Sequence, residues 1–260
     1  DIILLFVIFC LFLLSPFSFY RKNIFGYDVN QNSIIISNLI FNINILLVFS
    51  IIPLKISQYY IYIISFLLIF FFKNYFQDYK KIKFKNNIFL FLIYFIIFFI
   101  LSIDIANELN LGWDAKWFYL IESLYYSQGN TFKELTEQMF KSFHPHPHLG
   151  SYLWAFFSNL TINNYEYYGR LFYLFLYFFG LFLISKRLTK NENHKLVFFV
   201  ILTIITYRYT YFSGLQEILI FSNLVLISII IYDYILEKKF SDLLIISLSL
   251  NLILWTKAEG

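Results

Sequence analysis

Cysteine is almost absent. The single residue of this type, Cys10, lies inside an apolar run, which excludes an intrachain disulfide and leaves the redox compartment unassigned. Charge is scarce too. Only 14% of the 260 residues are Asp, Glu, Lys or Arg, against roughly a quarter in ordinary soluble domains. The net charge of +4 comes from short basic clusters between apolar segments rather than from one basic face, which excludes a nucleic-acid-binding surface. Of only four prolines, two fall in one short segment, and neither an internal repeat nor a low-complexity linker divides the chain.

What fills the sequence instead is apolar: 60% hydrophobic residues, 23% aromatic, and a mean hydropathy of +0.67. Apolar runs approaching membrane-spanning length recur from end to end. They predict an all-α protein, a polytopic transmembrane helical bundle. The runs are 2–19, 33–54, 59–72, 88–103, 167–185, 196–212, 214–236 and 243–255, with a shorter stretch, Leu149 to Leu160, predicted as a tilted or re-entrant helix. The chain starts at Asp1 without methionine and stops just after an apolar run, so it is read as a fragment. The first run lacks the charged front and cleavage site of a signal peptide and reads as a span.

The densest basic interval, Lys73 to Lys85, carries five lysines against Asp78 and is expected to be cytoplasmic by the positive-inside rule. The later clusters, Lys186 to Lys195 and Lys238-Lys239, then fall on the same side. That orientation places the one long polar interval, Asp104 to Gly150, outside the cytoplasm as the first large extracytoplasmic loop.

Chemistry is expected in this interval, at a membrane surface. Trp113, Trp117, Leu120, Ile121 and Leu124 recur at helical spacing after Gly112. Thr131-Phe132-Lys133-Glu134 has the form of a capping box, followed by the apolar stripe Phe132, Leu135, Met139 and Phe143. Both helices should lie along the interface. Asp114, in a first turn, either complements the helix dipole or serves as a general base, with Asp104 and Glu108 as neighbouring acids. His144, His146 and His148 alternate with prolines in an extended segment, which suits hydrogen bonding to a phosphate better than a tetrahedral metal set; a divalent metal is not favoured and no cofactor is expected. Arg170 begins a span and Glu217 opens another, where charge at membrane depth is paired or functional.

With those residues in hand, the chain resembles the GT-C superfamily of membrane glycosyltransferases, the group containing protein O-mannosyltransferases and aminoarabinose transferases. The matching pieces are Trp113-Asp114, His146-Pro147-His148-Leu149, Gly169-Arg170-Leu171, the later acid Glu217, and the ending Lys257-Ala258-Glu259-Gly260. The resemblance covers 88–260 as a catalytic core and leaves 1–87 as an N-terminal extension of about three spans. Two departures are Ala115, where many relatives carry a second acid, and Glu217, where Asp is commoner.

The resemblance implies transfer of a sugar from a polyprenyl-phosphate donor to an extracytoplasmic glycan, lipid or protein acceptor, in a multi-pass protein of a bacterial plasma membrane. Asp114 would be the base, and His146, His148, Arg170 and Lys257 would face the donor phosphate. The competing classes are an O-antigen polymerase or ligase, and a non-enzymatic transporter of lipid or solute. A transporter would carry its charges inside the spans, whereas most charges here collect in loops and at helix ends.

Overall fold

The computed structural model describes residues 1–15, 31–79, 84–107, 110–139, 148–189 and 191–256. Among these the chain is entirely helical, without a strand. In order, the helices are α1 (Ile2–Leu14), α2 (Gln31–Phe49), the single turn α3 (Leu54–Ser57), α4 (Tyr60–Tyr79) and α5 (Phe84–Asn107). A π-helical turn, Ala115–Tyr119, runs into α6 (Leu120–Ser127), followed by α7 (Phe132–Met139), α8 (Leu149–Ser158), α9 (Tyr167–Leu188) and α10 (Glu192–Thr206). A 3-10 turn, Tyr209–Phe212, leads to α11 (Glu217–Glu237) and α12 (Phe240–Leu254). Among the described residues two helices, α9 and α11, are long and apolar enough to cross a membrane; α1, α10, α12 and parts of α2, α4 and α5 are shorter apolar helices.

Helix α9 is the centre of the bundle. It is apolar nearly all round, the pattern of a helix with no face to give to water, and every residue from Tyr168 to Leu181 is buried. Helices α1, α5, α8, α10 and α11 pack around it. The contact with α1 and α8 is aromatic: Phe157 stacks on Phe172 with ring centres 4.3 Å apart, and Phe9 meets Phe157 edge-on at 5.1 Å. Such pairs contribute about 0.5–1.5 kcal/mol beyond their buried area.

Polar side chains fix the register where apolar packing alone would allow sliding. Buried Asn42 of α2 donates to the Phe12 carbonyl (3.0 Å) and to Ser15 Oγ (2.7 Å), and its Oδ1 accepts from Tyr60 Oη (2.7 Å), joining α1, α2 and α4. Asn251 of α12 donates to Asn44 Oδ1 of α2 (3.0 Å).

The capping box predicted at Thr131 is present. The Thr131 hydroxyl and amide both donate to Glu134 Oε2 (2.7 Å each), which holds the Glu134 carboxyl below its usual range, and the Glu134 amide donates to Thr131 Oγ1 (3.5 Å). The short helix expected from Leu149 is α8. Residues 16–19 of the first apolar run and Lys80, Lys81 and Lys83 of the basic interval lie outside the described residues.

Candidate functional site

Two segments far apart in sequence meet at one backbone hydrogen bond. Gly112 N–H donates to the Ser213 carbonyl (2.9 Å), which sets the head of the π-helical turn against the segment between α10 and α11. The approach is close enough to require glycine. Gly214 has φ +89°, and a Cβ there would lie 2.5 Å from the Trp154 ring and 2.8 Å from Ala115 Cβ. Fully buried Trp154 of α8 is the piece around which both segments fold; a Cβ on Gly169 would lie 2.3 Å from its carbonyl oxygen. Its indole N–H donates to the Glu166 carbonyl (2.8 Å).

Arg170 closes the same corner. Its side chain is 1% exposed; Nη2 and Nε bind Glu166 Oε1 (2.6 Å) and Oε2 (3.1 Å), and Nη1 donates to the Phe212 carbonyl (3.0 Å). A guanidinium gripping one carboxylate bidentately and a turn carbonyl orients the backbone of Tyr209–Phe212.

Asp114 stands at the head of the π-helical turn, two residues beyond the Gly112 contact. Half-buried, it makes no hydrogen bond with any described residue. The helix it opens is two-faced. Trp113, Trp117, Ile121 and Leu124 are more than half exposed, whereas Ala115, Tyr119, Glu122, Ser123 and Tyr126 turn into the protein. Four residues of the apolar stripe seen in the sequence therefore face away from the bundle, while the fifth, Leu120, packs against Ala115, Tyr119 and Trp154.

The inward face holds a group that sequence reasoning missed. Glu122 has no exposed surface; Oε2 accepts from Ser151 Oγ (2.6 Å), and Oε1 has no partner among the described residues. Burial pushes its carboxyl up to about 7, with the Ser151 bond opposing. Nearby, Gln216 donates to Tyr173 Oη (3.2 Å), which donates to the Gly150 carbonyl (2.9 Å), while Gln216 Oε1 has no donor among the described residues. The sequence signal for Glu122 was its spacing with Ala115, Tyr119 and Tyr126.

Asp104 is exposed and accepts from Tyr207 Oη (2.6 Å). Burial and then this bond raise the Tyr207 phenol above its ordinary range. One residue on, Arg208 donates to the neighbouring Tyr207 carbonyl (3.2 Å) and to no other described residue. It lines a half-open groove of about 700 Å³ together with Glu217, Tyr177, Tyr211, Ile205, Ile218 and Phe221. Sequence reasoning passed over Arg208 because it sits at the edge of an apolar run.

His148 is placed differently from the expectation of a phosphate-facing imidazole. It is 2% exposed, stacked on Phe132 (3.9 Å between ring centres), edge-on to Trp255 (5.2 Å), and shares a hydrogen bond between Nε2 and Ser50 Oγ (3.0 Å). Burial lowers its pKa to about 3, so the ring is neutral. The backbone converges here too, with Phe132 N–H on the Ser50 carbonyl and Leu149 N–H on the Trp255 carbonyl. Glu108, His144, His146, Lys257 and Glu259 lie outside the described residues.

The structure thus brings the segments of Asp114, Arg170 and Glu217 to one end of α9, and sets His148 in a separate cage at the heads of α7 and α8. No three His, Cys, Asp or Glu side chains converge on a metal-sized site among the described residues. Comparison with known proteins finds no matching family model, no matching curated protein and no matching solved structure.

Proposed function

We propose that the chain is a multi-pass membrane glycosyltransferase of the GT-C kind, moving a sugar from a polyprenyl-phosphate donor to an extracytoplasmic acceptor. The observation that carries this reading is the Gly112–Ser213 hydrogen bond, because it joins the segment of an unpartnered carboxylate, Asp114, to the loop of Arg208 and Glu217. A groove lined by a cation, Arg208, and by apolar side chains suits a lipid phosphate, whose head needs a cation and whose tail needs hydrocarbon surroundings.

In the proposed reaction the acceptor hydroxyl attacks the sugar's anomeric carbon as the carbon–oxygen bond to phosphate breaks. Asp114 takes the hydroxyl proton, and Arg208 stabilises the charge that collects on the departing lipid phosphate. His146 and Lys257 remain proposed phosphate contacts. Arg170 is a positioning residue that holds the turn bearing Phe212, and His148 acts in this reading by packing. Membranes carrying the protein, given polyprenyl-phosphate-linked radiolabelled sugar, should release the sugar to an acceptor fraction; carrier-bound label unchanged against control membranes would remove the proposal.

The transporter reading is favoured by one observation, the buried Glu122 carboxyl whose pKa lies near neutrality, since proton-coupled carriers need such a group. Proteoliposomes with an internal pH dye discriminate: solute-driven proton movement without sugar transfer would favour the carrier.

Orientation is testable separately. With Cys10→Ala as background, a cysteine placed at exposed Gln128 should react with an impermeant maleimide from the extracytoplasmic side. Labelling from the cytoplasmic side alone would invert the topology and take the active-site assignment with it.

A further inference from the structure

A second groove runs along α9 and α11 away from the candidate site. It encloses about 680 Å³, begins at Phe221, where the first groove ends, and continues past Leu224, Val225 and Ser228 to Tyr232 and Arg187. From Phe221 to Tyr232 the helix rises roughly 17 Å, close to one leaflet of a hydrocarbon core about 30 Å thick. Its walls are apolar, and its far end is cationic.

Arg187 supplies a specific demand there. One guanidinium nitrogen, Nη2, is held by Asp233 Oδ1, and the plane lies over the Tyr232 ring at 5.0 Å. Nε–H, by contrast, is buried with no acceptor among the described residues. A buried donor without an acceptor has lost its hydration for nothing in return, so an outside acceptor is favoured. The charges around it are Lys186, whose ammonium lies 5.6 Å from the centre of the Phe182 ring, Lys238, the Lys239–Glu237 pair, and Asp233. Asp242, in the first turn of α12, belongs to the same end. Basic residues outnumber acids there, four to three, so the complementary head is anionic.

We propose that this groove holds one acyl chain of an anionic phospholipid, with a phosphate oxygen accepting the Arg187 Nε–H. The inference rests on the membrane-embedded reading and is independent of the sugar chemistry. Asp233 opposes the anion in part, and the basic residues around it outweigh that opposition.

The test is native mass spectrometry of the protein in neutral detergent with phosphatidylglycerol or phosphatidylcholine of identical chains. One phosphatidylglycerol per chain should be retained about fivefold more strongly than phosphatidylcholine, the selectivity of one basic contact. Ser228→Trp fills the groove; among the described residues the Ser228 hydroxyl bonds only within its own helix, to the Leu224 carbonyl (2.7 Å), so the variant should keep its thermal transition and lose both lipids. Arg187→Lys, which retains the charge for Asp233 but has no Nε–H fork, should reduce the selectivity while retaining the chain contact. Equal retention of the two lipids by the unaltered protein, or undiminished retention by Ser228→Trp, overturns the proposal. Release of the protein from membranes by alkaline carbonate would instead sink the membrane reading itself.

Discussion

Asp114→Asn is expected to lower sugar transfer about a hundredfold to ten-thousandfold, the usual cost of removing a positioned general base. The fold should survive. Asparagine has nearly the same shape and is equally favourable at a helix start, and Asp114 has no hydrogen-bond partner among the described residues to lose. Loss of its charge near the helix dipole costs only about 0.3–1 kcal/mol. Donor binding should persist, since the residues proposed to face the phosphate are untouched. Asp104→Asn should remain active, because that carboxylate is occupied by Tyr207. Glu108→Gln is expected to remain active too. The measurement is initial rate at saturating donor, with membrane insertion checked on the same samples. Turnover close to the unaltered protein in Asp114→Asn would move the search for the base to Asp104, Glu108 and Glu217.

Glu122→Gln is expected to abolish a strong pH dependence of stability. The folded protein holds this carboxyl at about 7 against an ordinary value of 4.5, because a buried carboxylate loses its hydration. Protonated glutamic acid is the form the fold prefers. Its contribution is therefore fully present below about pH 4.5 and is lost as pH rises through 7, because the unfolded chain releases the proton first. The loss amounts to roughly 3 kcal/mol, large beside a typical stability of 5–15 kcal/mol. Glutamine keeps an acceptor for Ser151 and cannot ionise. Thermal unfolding in detergent at several pH values from 4.5 to 8 should fall steeply for the unaltered protein and stay nearly level for Glu122→Gln; parallel curves would show that the group is solvated.

The helical elements were legible because their signals are local. Apolar runs marked most of the helices, and Thr131 with Glu134 marked the start of α7 from four consecutive residues. The site was legible only in part, since its decisive properties are set by partners distant in sequence. Nothing near Arg170 announces that its guanidinium ends on a carbonyl 42 residues away, and nothing near His148 announces Ser50, 98 residues back, or Trp255. The His-Pro alternation suggested an available imidazole; burial beneath Phe132 and Trp255 makes the ring neutral instead. Glu122 was hidden in the opposite way: in a polar interval an acid looks solvated, and only the packing of α6 on α8 withdraws it from water.

The joint between Gly112 and Ser213 also has a consequence in time. A ribosome adding about 5–20 residues per second needs roughly 5–20 seconds to pass from the first of these to the second. During that interval the surroundings of Asp114 do not exist, because Trp154, Arg170 and the Phe212 turn have yet to be made or inserted. A nascent chain arrested near residue 200 would therefore display Asp114 on a loose, protease-sensitive segment, and protection should arise abruptly once the turn through Gly214 emerges. Truncation just before Ser213 should therefore cost the arrangement around Asp114 while leaving the aromatic contacts of α1, α5 and α9 already made.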